Sequence, residues 1–337
     1  MASRAGSAEQ AIFVLGAETG WLQRACGVFQ QAWVVTASLP ILYTAHRMTR
    51  AVGRAVTGSS GNLHVCYALA MDDDPVFADL LAISASCVRR IYPTCTITIL
   101  TDDDSRKNLA RAPRRLSDVA SKIRSVGKFE GSPRLRSRFV KTQARNVIEG
   151  DFLYLDADTA PVCEFGALFE CEAAFSAAID RNRVDPYGGF PAWVVPDFER
   201  LGWRHPTKLY LNTGILFWKD CKAAHALGRL WHENWLRYHT TVDNPADQPA
   251  FNYSIDALGI EPKIMDDVFN ARVGVSPEFA RGARIYHLLS GDERAEGTFI
   301  DAVLQHYRGT GSIDFSLIDA AVARGHPWIG EAPSSAS

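Results

Sequence analysis

Three things are scarce in this sequence: net charge, paired cysteines, and long clean apolar runs. Lys and Arg number 36 against 38 Asp and Glu, for a formal net charge of -2. That balance argues against a dedicated nucleic-acid binder, which carries a marked basic excess. The seven cysteines form an odd set with no Cys-x-x-Cys pair, so neither a zinc module nor a disulfide framework is indicated. Reduced cysteines in a cytosolic protein are the expectation. Gly27 to Ala45 contains no charged residue and reaches about the minimum length of a bilayer span. Gln30, Gln31 and Pro40 break its apolar character, and it lies too far into the chain for an ordinary signal peptide.

A basic segment with His46, Arg47, Arg50 and Arg54 follows. Two readings stand side by side: peripheral membrane contact through residues 27–54, with arginines on anionic headgroups, or a helical extension packed on the main body. A spanning segment with this arginine bias behind it would leave the body in the cytoplasm. Gly58 to Asn62 reads as a linker. The organisation expected is therefore an extension over 1–61, one α/β body over 62–325, and a disordered tail over 326–337.

With 47% hydrophobic residues over 337 positions, the body can bury a full core. Leu63 to Ala70 and Thr96 to Leu100 read as strands, and Phe77 to Ile91 has apolar residues at helical spacing. Strand, helix, strand in that order predicts a βαβ unit and a parallel sheet. Acids follow both strands (Asp72 to Asp74 and Asp102 to Asp104) and are expected in turns and caps. Arg106 to Arg145 is strongly basic without interleaved aromatics, so a mostly solvated face is expected, with a helix over Leu135 to Ile148. Ala173 to Ile179 suits another strand, and Asp185 to Pro206 is loop-like, rich in Gly, Pro and aromatics. Leu209 to Asp220 is a strand interrupted at Asn212-Thr213-Gly214. Ala223 to Tyr238 is an amphipathic helix, and Asp247 stands where the N-cap of a helix over Pro249 to Leu258 belongs. Arg284 to Leu289 is a short strand carrying His287.

The chemistry centres on Phe152 to Val162, where the apolar run Phe-Leu-Tyr-Leu ends in Asp156 and Asp158. In extended backbone, alternate side chains point the same way, which sets the two acids together where a core strand surfaces. Two hard oxygen donors there suit a divalent cation, and such an ion can neutralise a diphosphate. The plainer reading is a strand ending in a solvated turn.

In order, these pieces resemble the retaining glycosyltransferases with a GT-A fold, the group that includes glycogenin and bacterial lipopolysaccharide glucosyl- and galactosyltransferases. The resemblance rests on Lys141, on Asp156-Ala-Asp158, on Asn212-Thr-Gly214, on Asp247-Gln248 and on the late His287, and it spans about Leu63 to Gly291. It implies a central mixed, mostly parallel sheet flanked by helices. It also implies a nucleoside-diphosphate sugar as donor, with uridine the family default, and a hexose passed with retained anomeric configuration to an acceptor. The acceptor stays open between a saccharide, a lipid-linked glycan and a protein. Asp156, Asp158 and His287 would hold Mn²⁺ or Mg²⁺; Asp156 would also touch the ribose and Lys141 the phosphates or sugar. The nucleobase would lie near Ala70 to Asp72. Asn212 and Gly214 would face the sugar, Asp247 would bind its hydroxyls, and Gln248 would sit by the anomeric carbon. No carboxylate stands out as a nucleophile, which favours front-face transfer over double displacement.

The family's Lys-Pro-Trp after the late histidine is replaced by Gly291-Asp292-Glu293-Arg294, leaving Arg294 as a candidate phosphate contact. Two alternatives compete. A sugar-nucleotide nucleotidyltransferase would need a Gly-rich basic loop where Met71-Asp72-Asp73-Asp74-Pro75 stands. A membrane-associated carbohydrate-binding scaffold of the same fold would be expected to have lost its metal ligands.

Overall fold

The computed structural model describes residues 63–71, 75–109, 116–181, 189–205, 209–274, 280–288 and 297–331. The expected extension over 1–61, with its membrane reading, lies outside the described residues, as do Asp72 and Arg294. Among the described residues, no helix is long and apolar enough to cross a membrane.

The chain runs through β1 (His64–Leu69), α1 (Val76–Ile91), β2 (Thr96–Thr101), α2 (Asp103–Leu109), β3 (Lys122–Ser125), α3 (Pro133–Thr142) and α4 (Ala144–Val147). It continues through β4 (Phe152–Leu155), β5 (Thr159–Pro161), β6 (Phe175–Ile179), α5 (Val195–Leu201), β7 (Leu211–Trp218), α6 (Lys222–Val242) and α7 (Gln248–Leu258). The last elements are β8 (Lys263–Ile264), β9 (Ala271–Arg272), β10 (Ile285–His287), α8 (Phe299–Thr310) and α9 (Phe315–Arg324). Seven strands form one sheet in the order β3-β2-β1-β4-β7-β6-β8, and three form a second, β5-β10-β9. β1, β2, β3 and β4 are mutually parallel, while β7 runs antiparallel to both β4 and β6. The central mixed, mostly parallel sheet flanked by helices is thus the architecture observed.

The near-continuous apolar strands are explained by burial on both faces. Val65, Tyr67, Leu69, Leu153, Leu155, Ile215 and Phe217 face a core completed by α1, α8 and α9. The alternate residues Cys66, Ala68, Phe152, Tyr154, Leu216 and Trp218 face a second core built on α3, α6 and α7. None of the six cysteines among the described residues is in a disulfide.

Local structure departs from the sequence reading in several places. The helix expected over Leu135 to Ile148 is two helices, α3 and α4, meeting at Gln143. The stretch read as loop over 185–206 contains α5, closed by Gly202 in the left-handed conformation. Among the described residues the basic face is mostly solvated as expected, but Arg136, Lys141 and Arg145 are buried, because each finds carboxylates or carbonyls inside. Lys122, Arg124, Lys128 and Arg134 do face solvent. Near the C-terminus, residues 326–331, expected in the tail, pack against the body: Phe299 N–H donates to the Pro327 carbonyl at 2.8 Å, and Trp328 is buried.

Candidate metal centre

Strand direction brings the candidate residues to one edge of the sheet. β4 ends there with Leu155, β7 begins there with Leu211, and β6 ends there with Ile179. The β6–β7 register is irregular, since Ala177 pairs with Leu216 but Ile179 with Leu211. The extra β7 residues bulge, and the Asn212-Thr213-Gly214 segment turns inward as a Gly-bearing bulge would.

Asp156 and Asp158 do not continue the strand. β4 stops at Leu155 and the chain turns, with Thr159 N–H and Oγ1 both donating to the Asp156 carbonyl at 3.2 and 2.8 Å. The acids converge through that turn rather than through the alternation of an extended strand. The turn feeds β5, whose antiparallel partner β10 sets His287 opposite Thr159. Leu288 N–H then donates to the Asp158 carbonyl at 2.8 Å. One ligand-type atom each from Asp156, Asp158 and His287 comes to lie within 4.8 Å of the others. His287 Nε2 stands 3.7 Å from Asp158 Oδ1. Two atoms coordinating one ion at about 2.1 Å each can be at most about 4.2 Å apart, so this pair meets the limit as it stands.

Burial pushes the His287 imidazole down to about 3, with Arg272, Lys141 and Arg138 adding to the effect and Asp156 opposing it. The ring is therefore neutral at ordinary pH and has a lone pair to offer. Gly214 explains itself against this ring: a Cβ there would fall 2.1 Å from His287 Cε1. Donor types, the Asp158–His287 separation, the neutral imidazole and the glycine cradle fit a divalent ion.

Beside the acids lies a buried charge cluster. α3 starts at Pro133 with Ser132 capping Leu135 N–H, and its Arg138 and Lys141 are three residues apart, hence on one face. Lys141 Nζ reaches Asp156 at 3.1 Å, Thr213 Oγ1 at 3.3 Å and Asp247 Oδ2 at 3.3 Å. Two of these are hydrogen bonds and the third is an ion pair. The sequence reading of Lys141 as a direct phosphate contact meets a lysine that is 1% exposed and committed to protein groups. Arg138, whose side chain is 27% exposed, pairs through Nε with Asp247 Oδ1 at 3.1 Å.

Asp247 occupies the position before α7, but its side chain caps nothing. Its oxygens are turned to Arg138, Lys141 and the Thr213 hydroxyl, the last at 2.9 Å. Burial by itself would raise the Asp247 carboxyl, yet Lys141 and Arg138 outweigh it and hold the group below the usual range. Trp231 on α6 donates its indole N–H to the Asp247 carbonyl at 3.0 Å and so ties this corner to the helix behind it. Gln248 is half-buried over the bulge, its Oε1 accepting from Asn212 Nδ2 at 3.3 Å and Thr213 N–H at 3.4 Å.

Ala70 is buried at the end of β1. The adjoining Met71 is held on both sides: its N–H donates to Ser105 Oγ at 2.9 Å and its carbonyl accepts from Arg136 Nη2 at 2.9 Å. Asp102, expected in a turn or cap, does cap α2, accepting from the Asp104 and Ser105 N–H groups at its start.

Several participants escaped the sequence reading. Tyr154 donates its hydroxyl to Asp156 Oδ1 at 2.7 Å, from a position indistinguishable in sequence from any core aromatic. Asp180, just after β6, and Asn270 and Arg272, at the start of β9, meet behind His287. Only Arg138 left a trace, one turn before Lys141.

No protein-family model matches the chain, and no curated protein matches it. Among solved structures it is similar to the apo form of mouse xyloside xylosyltransferase 1, at 15% identity over 67% of this chain and 97% of that one, with a TM-score of 0.43. It is also similar to the galactosyltransferase LgtC in complex with donor and acceptor sugar analogs, at 15% identity over 77% of this chain and 96% of that one, TM-score 0.49. A third likeness is to the glycosyltransferase GlyE of Streptococcus pneumoniae, at 17% identity over 80% of this chain and 66% of that one, TM-score 0.46. Likenesses of this size carry nothing about chemistry, which rests on the side chains described above.

Proposed function

We propose that this chain is a metal-dependent glycosyltransferase that moves a hexose from a nucleoside-diphosphate sugar, of which UDP-sugars are the first to test, to an acceptor. The observation that carries the reading is the convergence of Asp156, Asp158 and a neutral His287 within 4.8 Å, beside a buried Lys141 and Arg138. A carbohydrate-binding scaffold that had lost turnover would have no reason to keep three ligand groups aimed at one point.

Asp156, Asp158 and His287 hold the cation, with Mn²⁺ preferred over Mg²⁺. When bound, that ion stabilises the negative charge that develops on a departing diphosphate. Lys141 supports the same charge from behind Asp156, by its field rather than by contact, and Arg138 is the cation of the pair that a ligand can reach. The nucleobase lies past the end of β1, near Ala70, with Asp156 toward the ribose. Gly214 lets the sugar approach the sheet edge. Asp247 accepts sugar hydroxyls with the lone pairs that Arg138, Lys141 and Thr213 leave, and Gln248 stands near the anomeric carbon. Asp247 is buried and held by two cations and a hydroxyl, which makes it a poor nucleophile. That supports front-face transfer with retention, in which the departing phosphate takes the acceptor's proton.

The test is donor hydrolysis. The full chain is incubated with a panel of nucleoside-diphosphate sugars, with Mn²⁺ or with chelator, and released nucleoside diphosphate is measured. Metal-dependent release from one donor, abolished in Asp158→Asn, is the expected result. Absence of release from every donor, together with absence of Mn²⁺-dependent nucleotide binding by calorimetry, would overturn the reading in favour of the scaffold.

A further inference from the structure

Behind His287 runs a chain of buried amides whose polarity is forced from its far end. Asp180 is held by Arg272, with Nη1 to Oδ1 at 2.5 Å, and a carboxylate only accepts. The Asn212 atom 3.0 Å from Asp180 Oδ1 must therefore be the amide nitrogen. Its oxygen then points the other way, and an independent contact agrees: the Gly214 N–H, which can only donate, lies 2.8 Å from Asn212 Oδ1. The Asn270 atom facing that oxygen at 3.0 Å must in turn be its nitrogen. This leaves Asn270 Oδ1 facing His287 Nδ1 at 2.8 Å, so Nδ1 must carry the proton. Asp180, Asn212, Asn270 and His287 are 7%, 5%, 5% and 4% exposed, so water is a poor substitute for any link.

We infer that Asn212 and Asn270 are positioning residues that lock His287 in the tautomer whose bare Nε2 faces Asp158. This rests on the metal reading of that site and changes the part given to Asn212 in the sequence reading. Rather than facing the sugar, Asn212 relays the polarity of Asp180 to the imidazole. An Nε2–H tautomer would point its one proton at the cation site and leave Nδ1 and Asn270 Oδ1 as two acceptors in contact. Partners that orient a ligating histidine in this way typically matter 10- to 100-fold in metal affinity.

Two measurements on the metal-free full chain test the inference. Long-range ¹H–¹⁵N correlation, with His287→Gln to assign the ring, reads the tautomer directly; the wild type is expected to be protonated on Nδ1. Calorimetric Mn²⁺ titration is expected to show a 10- to 100-fold weaker affinity in Asn270→Ala and about a tenfold weaker one in Asn212→Ala. Asn270→Asp keeps an acceptor for Nδ1–H and is expected to retain the tautomer. A wild-type ring protonated on Nε2 overturns the inference whatever the variants do. An Asn212→Ala chain with unchanged tautomer and unchanged Mn²⁺ affinity overturns the part given to Asn212. A wild type with the expected tautomer that binds no Mn²⁺ overturns the metal reading instead and leaves the tautomer assignment standing.

Discussion

The strands β4 and β7 are flanked by acids at both ends, and the two ends behave differently. At one edge Asp156 and Asp247 meet Lys141 with 15%, 5% and 1% of their side chains exposed. At the other, Asp151 and Asp220 meet Lys219 and His225 at 27% to 43% exposure, beside an open cleft of about 530 Å³ lined by Asp220, Cys221, Lys222, His225 and Arg229. Composition is nearly the same at the two edges. Burial separates them: charges removed from water are stable only in a fixed arrangement of partners, and a fixed arrangement is what a binding site requires. Exposed pairs hold each other weakly and specify nothing.

The sharpest way to break this contrast is Lys141→Met, which leaves Asp156 and Asp247 facing each other without the cation between them. A loss of about 3–5 kcal/mol in chemical denaturation is expected, as for other broken buried pairs. Gly214→Ala comes next. The new methyl must displace the His287 ring, for an expected loss of about 1–3 kcal/mol by denaturation and weaker Mn²⁺ binding by calorimetry.

Helix α6 allows a subtler comparison, because it carries His225 at the open edge and His232 two turns on. Burial pushes His232 down to about 4, where its Nδ1 meets Thr142 Oγ1 at 2.8 Å. The unfolded chain, with an ordinary histidine near 6.5, binds the proton first. Stability is therefore expected to be fully present above about 6.5 and to fall as the pH drops toward about 4, by at most about 1.4 kcal/mol per pH unit for this group. Thermal unfolding across that window checks it, with His232→Gln expected to flatten the slope. The smallest effect belongs to Lys219→Met at the open edge, expected within about 1 kcal/mol of wild type. A loss as large as that of Lys141→Met would remove the distinction between the edges.

Much of the fold was legible because it follows from local pattern. The doubly buried strands β1, β2, β4 and β7 read as apolar runs, α1 and α6 as stripes at helical spacing, and α7 from the acid standing before it. Misreadings came where a residue's neighbours decide. Arg136, Lys141 and Arg145 look like any surface cations until their buried partners are in place. Asp247 looks like an N-cap until Arg138, Lys141 and Thr213 claim its oxygens.

By itself the sequence determined the position of the two acids, since an apolar strand followed at once by Asp-Ala-Asp must surface at a sheet edge wherever that sheet lies. It also determined that a glycine, Gly214, interrupts β7 nearby. The tertiary structure alone decided what the acids face. His287 reaches Asp158 only because β10 pairs antiparallel with β5, and Asn270 reaches His287 only because β9 pairs with β10. Hydrogen-bond polarity then passes from Arg272 and Asp180 through two amides to the imidazole, over contacts between residues distant in the chain. Local propensity acts over a few residues, whereas a ligand set is a coincidence of several chain segments in space, and only packing brings them together.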